Sequence, residues 1–220
     1  MASKRASITR ITDNVGSKQG NLANNARSDD RKPTLSGTLT AALASGETLR
    51  IYSGSSFLGN ATATGTTWSY TPTSNLATNR THSFKARVAD AAGNLSTPLN
   101  TRRLTLDNAA PAARSRITQI TDNVGSKQGN LANNARSDDR KPTLSGTLTA
   151  ALASGETLRI YSGNAFLGNA VVSGTTWTYT PTSNLATNRT HSFKARVADA
   201  AGNLSTPLNT RRLTLDNAAP

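Results

Sequence analysis

Apolar and polar residues alternate along this chain in short bursts, with Gly, Asn, Pro and Ser between them. A period of two sends successive side chains to opposite faces, so the pattern marks half-buried strands rather than helices. Seven strands are predicted in the first half. Residues 8–12 form the first. Residues 34–40 form the second, with Leu35, Gly37 and Leu39 on one face. Residues 48–53 turn Leu49 and Ile51 inward, and residues 57–62 follow as the fourth strand. Residues 67–71 turn Trp68 and Tyr70 inward. Residues 82–89 put His82, Phe84, Ala86 and Val88 on one face, and Ser83, Lys85 and Arg87 on the other. Residues 102–106 end the set with Leu104 and Leu106 inward. Gly46, Gly59 and Gly93 supply the positive φ that tight turns require. Residues 14–32 have neither period. A structureless connection of about 19 residues is uncommon in a compact domain and usually has a task or a ligand.

The whole pattern then recurs. Asp13 returns as Asp122, Trp68 as Trp177, His82 as His191 and Asp107 as Asp216, always 109 residues later. Residues 3–111 align on 112–220 without a gap. Only positions 3, 4, 6, 7, 10, 55, 56, 62, 63, 64 and 69 differ. Near-identity means two copies of one domain, residues 1–111 and 112–220, each long enough to hold its own core. Each copy is predicted to be a seven-strand immunoglobulin-like β-sandwich, so the fold class is all-β, with two sandwiches end to end. A second copy gives an enzyme little. It gives a spacer reach and a binder avidity.

Composition narrows the functional choice. The 220 residues include no cysteine, which excludes a disulfide scaffold and a thiolate zinc site. No run of about 18 apolar residues exists, so no membrane span is expected. Lys and Arg number 25 against 12 Asp and Glu, a net charge of +13. The first ten residues are basic without an apolar stretch, and the second unit ends where a third would begin. The chain is therefore expected to be a piece of a longer array whose secretion signal lies elsewhere.

Five segments, in order, carry a family resemblance: Asp13-Asn14-Val15-Gly16, residues 33–38 (PTLSGT), residues 68–72 (WSYTP), residues 90–96 (DAAGNLS) and residues 106–111 (LDNAAP). This order resembles the bacterial immunoglobulin-like repeats of large surface adhesins, such as biofilm-associated and type-I-secreted proteins. The resemblance covers both units. It implies a sandwich fold, neighbouring identical repeats in a longer chain, a monomer, an extracellular cell-surface location and calcium at domain junctions. Two features depart from the family pattern. The chain is basic where such repeats tend to be acidic, and Asp13-Asn14 stands where two acids usually precede Val-Gly.

Hard calcium takes six to eight oxygens. If the chain enters a sandwich at one end and leaves at the other, Asp13, Asp29, Asp30, Asp107 and Asn108 share the exit end. They can then face Asp199 and Asn203 of the next unit. The second unit repeats the set as Asp122, Asp138, Asp139 and Asp216. The same residues also serve as ordinary turn formers, and Asp29 and Asp30 can pair with Arg27, Arg31 and Lys32. His82 and His191, one per unit, read as corner residues rather than catalytic or metal-binding ones. Trp68 and Tyr70 read as core, and aromatics total 5%, little material for a stacking platform. Lys85, Arg87, Arg102 and Arg103, with Lys194, Arg196, Arg211 and Arg212, are expected to form a basic face. Such a face attracts polyanions by counterion release, here extracellular DNA, acidic polysaccharide or lipopolysaccharide. It can equally be a solvated surface. No catalytic motif is present. The expected function is a non-enzymatic spacer of a surface adhesin acting in adhesion or biofilm formation. The alternative is a polyanion-binding module of matrix or cell surface.

Overall fold

The computed structural model describes residues 4–126 and 128–216. The chain divides into two compact units, one built mainly on Met1–Ala109 and the other on Ala110–Ala200 and Leu204–Pro220.

In the first unit ten strands make two five-stranded sheets. They are β1 (Ala6–Asp13), β2 (Gly20–Asn21), β3 (Ala26–Ser28), β4 (Thr34–Leu39), β5 (Thr48–Ser53), β6 (Ser56–Asn60), β7 (Thr62–Thr64), β8 (Thr67–Tyr70), β9 (Arg80–Ala89) and β10 (Arg102–Leu106). One sheet has the order β2-β1-β4-β8-β7, the other β3-β10-β9-β5-β6. The pairs are antiparallel, except that β3 runs parallel to β10. All seven expected strands are present. The other three, β2, β3 and β7, have two or three residues each, too short to show a period in the sequence.

Residues 14–32 are thus not structureless, because they hold β2 against β1 and β3 against β10. The core lies between the sheets. Ile8, Ile11, Leu35, Leu49, Ile51, Phe84, Leu104 and Leu106 are fully buried there, with Trp68 and Tyr70 beside them. Burial of each large side chain contributes on the order of 1.5–3 kcal/mol.

Ile8 and Ile11 both face the core although they are three residues apart, which strict alternation forbids. A β-bulge between Ile8 and Arg10 resolves the conflict by adding one residue to β1. The Asn100 side chain fills the gap. It accepts from the Ile8 amide at 2.9 Å and donates to the Ile8 carbonyl at 2.9 Å.

The second unit repeats this plan. Its strands are β11 (Ser115–Asp122), β12 (Gly129–Asn130), β13 (Ala135–Ser137), β14 (Thr143–Leu148), β15 (Thr157–Ser162), β16 (Ala165–Asn169), β17 (Val171–Ser173), β18 (Thr176–Tyr179), β19 (Arg189–Ala198) and β20 (Arg211–Leu215). The sheet orders are the equivalent ones, and a separate core forms around Ile117, Ile120, Leu144, Phe193 and Leu213. Asn209 closes the bulge after Ile117 in the same way.

Candidate functional site

Three side-chain groups carry the chemistry expected from the sequence. The first is the acidic end of each unit. Asp13 ends β1 and is buried. Its Oδ2 accepts from the Ser28 hydroxyl at 2.5 Å, and its Oδ1 from the Val15 amide at 3.0 Å. Ser28 Oγ in turn accepts from the Asp30 amide at 3.0 Å. Asp30 Oδ2 accepts from the Asn14 amide at 2.9 Å and Oδ1 from the Lys32 amide at 2.8 Å. Two Asx turns therefore clamp both ends of residues 14–32 to β1. Burial pushes the Asp13 carboxyl above its ordinary range, against the opposing pull of the Ser28 hydroxyl and the Val15 amide.

Asp107 follows β10. Its carboxylate accepts from the Arg27 guanidinium at 2.8 Å and from the Ala109 amide at 3.1 Å, and its amide donates to the Ser28 carbonyl. The Asn108 side chain donates to the Asp29 carbonyl at 3.1 Å. Gly16, at φ +69°, passes so near the Asp29 carboxylate that a Cβ would overlap it. The structure thus gathers Asp13, Asp29, Asp30, Asp107 and Asn108 at one end of the unit, as expected. Asp122, Asp139 and Asp216 repeat the bonds in the second unit, with Ser137 and Arg136 as partners. Asp138 lies against Gly125 as Asp29 lies against Gly16. Asp199 and Asn203 stand in the turn after β19. Asp13, Asp30 and Asp107 already accept from amides, a hydroxyl or a guanidinium. Among the described residues, no three His, Cys, Asp or Glu side chains make a metal cage. As folded, these carboxylates are engaged in holding the loop and the end of β10.

The second group is the basic face. Paired residues share a face. Arg50 lies opposite Arg87, Tyr52 opposite Lys85, and Arg103 opposite Ser83, all on the outer side of the β3-β10-β9-β5-β6 sheet. Arg102 departs from the expectation. It lies opposite inward-facing Phe84 and donates to the carbonyls of Thr9 and Leu22, at 3.3 and 3.0 Å. Arg211 does the same to Thr118 and Leu131. Consecutive residues on a strand face opposite ways, so Arg102-Arg103 and Arg211-Arg212 cannot both be outward. Arg50, with its counterpart Arg159, takes the vacated place. Its alternation with Leu49 and Ile51 marked it as outward, but the sequence reading assigned it no role.

The third group is the corner. His82 is buried, with Nε2 2.8 Å from the Ala77 carbonyl and Nδ1 2.9 Å from the Ser53 hydroxyl. A carbonyl only accepts, so Nε2 carries a proton and donates to Ala77, while Nδ1 pairs with the Ser53 hydroxyl. The ring stacks on Phe84. His191 makes the same contacts with Ala186, Ser162 and Phe193. Both ring nitrogens are engaged in holding a corner. The Trp68 indole donates to the Thr38 carbonyl and the Tyr70 hydroxyl to the Leu58 carbonyl, so both aromatics belong to the core.

A two-sheet unit with inward aromatics, a histidine corner and, among the described residues, no helix, duplicated at a fixed period, defines an immunoglobulin-type sandwich repeat. The bacterial Ig-like domain family model matches residues 5–108 and again residues 114–217. The chain belongs to that family, as a tandem pair of its domains. No curated protein shows a match. Among solved structures the chain is similar to the N-terminal Ig1-2 module of the Drosophila receptor protein tyrosine phosphatase DLAR. That match has 9% identity and a TM-score of 0.27, over 96% of this chain and 99% of that one. A likeness of that size adds nothing to the assignment. No helix among the described residues is long and apolar enough to cross a membrane.

Proposed function

We propose that the two domains are non-catalytic spacer repeats of an extracellular bacterial surface adhesin acting in adhesion or biofilm formation. The observation that supports this reading is the path of the chain through a unit. β1 and β10 both finish at the acidic end, where Asp13 and the Asp107 amide meet Ser28. The chain therefore enters a unit at one end and leaves at the other. It does so on strands of different sheets. Tension between the termini then acts along β1 and β10. It shears their ladders against β4, β3 and β9 instead of opening them bond by bond. Single-molecule stretching tests this. Two separate unfolding events are expected, each releasing about 350 Å for roughly 100 residues at about 3.5 Å each. A chain that extends without resistance contradicts the reading.

Calcium belongs to the same proposal as a ligand of the acidic end. It has to share those carboxylates with Arg27 and with backbone amides, so weak binding is expected, near the millimolar range of extracellular calcium modules. Calorimetric titration of metal-stripped protein should show saturable heat in that range, lost in Asp107→Ala with Asp216→Ala. A flat trace removes calcium from the reading and leaves the spacer role, which rests on the chain path.

A second reading, polyanion binding, is favoured by one observation. The outward positions of the basic face are identical in the two units. Seven of the eleven differences, at 6, 7, 10, 62, 63, 64 and 69, fall instead on the other sheet.

A further inference from the structure

Neither β5, β6, β9 nor β10 contains a carboxylate. Their outer face carries Arg50, Lys85, Arg87 and Arg103. The carboxylates beside these strands stand past their ends and are engaged there: Glu47 before β5 by Lys4, Asp90 after β9 by Asn94, and Asp107 after β10 by Arg27. Arg50 and Arg87 are directly opposed across β5 and β9, an arrangement that destabilises a sheet unless something offsets it. Part of the offset is local. Arg50 lies over the Phe57 ring, 5.9 Å from its centroid, and Arg87 donates to the Ser96 carbonyl at 2.8 Å.

Phe57 itself breaks a second local rule. It is a large apolar residue on an edge strand and is 53% exposed. It adjoins Tyr52, with centroids 5.6 Å apart and the rings tilted by 56°. Across the next strand Tyr52 faces Lys85. One rung of the sheet thus reads Phe57, Tyr52, Lys85, and the next reads Arg50, Arg87. The second unit reproduces this with Phe166 at 54% exposure, Tyr161, Lys194, Arg159 and Arg196. Places where a fold breaks its own rules twice, in two copies, are the expected places for function.

We infer that this face binds single-stranded nucleic acid. The cations neutralise successive phosphates, and the exposed edge aromatic of each unit takes a base. A row of cations alone attracts any polyanion. A half-exposed ring inside that row adds a surface on which a base can stack, since every base presents a π-face. The inference rests on the polyanion reading above and makes it more specific. Four neutralised phosphates per unit give a slope of about −3 in log affinity against log salt, at roughly −0.7 per phosphate for single strands.

Fluorescence anisotropy on the full chain separates the two levels. Three probes of equal charge are used: a thymidine 20-mer, an abasic deoxyribose-phosphate 20-mer and an oligouronate. The thymidine strand is expected to bind at least about tenfold more tightly than the abasic one. Phe57→Ala with Phe166→Ala should remove that preference and leave abasic binding unchanged. Phe57→Trp with Phe166→Trp should keep or increase it. Lys85→Gln with Lys194→Gln should weaken both strands and flatten the salt slope. Equal affinity for the thymidine and abasic strands overturns the stacking inference and leaves the polyanion reading standing. Tighter binding of the oligouronate overturns the nucleic-acid assignment in favour of acidic polysaccharide. Absence of salt-dependent binding to all three overturns both readings.

Discussion

Asp13 shows how one residue can fill a role that sequence alone leaves open. The sequence offers it as a cation ligand or a turn former, and the structure uses both its oxygens to close a loop. Burial raises its pKa in the fold, so folding favours the protonated form. Its contribution to stability is full below the ordinary carboxylate value of about 4 and is lost as pH rises through the folded value. Glu47 and Asp90 act with the opposite sign. The Ala44 amide and Lys4 hold Glu47 low, and the Asn94 side chain and amide hold Asp90 low. Their contribution is present above the ordinary value and is lost as pH falls through the depressed one. Asp13→Asn removes the burial penalty without removing an acceptor for Val15. Urea unfolding at about pH 3 and pH 7 should therefore show the variant gaining on the parent protein at the higher pH. A difference that does not change with pH contradicts this account of Asp13. His82 was legible as a corner residue, because it alternates in phase with Phe84 and no second His or Cys stands in the unit to share a metal with it. Phe57 was not, because edge exposure depends on which strands pair and not on local alternation.

At the level of elements, the longer strands other than β6 were legible because each buries one face and so writes a period of two into the chain. The three short strands wrote nothing. β3 in particular is paired in parallel with β10, about eighty residues away, and its three residues carry no sign of that partner. The bulge in β1 left one trace, the spacing of three between Ile8 and Ile11. Its partner Asn100 left none, since an isolated Asn after Pro-Leu reads as a turn. Asn100→Ala leaves the Ile8 amide and carbonyl without partners, at a cost of about 1–3 kcal/mol. Denaturant unfolding should show a lower midpoint for the first unit, with the second unit unmoved. The basic face shows the same limit of local reading. Arg102 and Arg103 look equivalent in sequence. The register with Phe84 and Ser83 separates them, sending one to the carbonyls of Thr9 and Leu22 and the other outward.

For the whole molecule, the exact 109-residue period carried most of what could be known in advance. It named two copies, and the family match at residues 5–108 and 114–217 agrees with two domains. Each copy closes its own hydrophobic cluster. The spacer account depends on that property, because repeats that fold alone can be strung in any number. Gly146 gives direct access to it. A Cβ there would lie about 2.0 Å from the Arg116 carbonyl and 2.6 Å from the Trp177 ring. Gly146→Ala should therefore destabilise the second unit by about 3 kcal/mol or more. Scanning calorimetry of this variant is the measurement to make. The second unit is expected to melt on the order of 10–20 °C earlier, with the first unit's transition left in place. A single transition that moves as a whole would contradict the claim that each repeat is a self-sufficient fold.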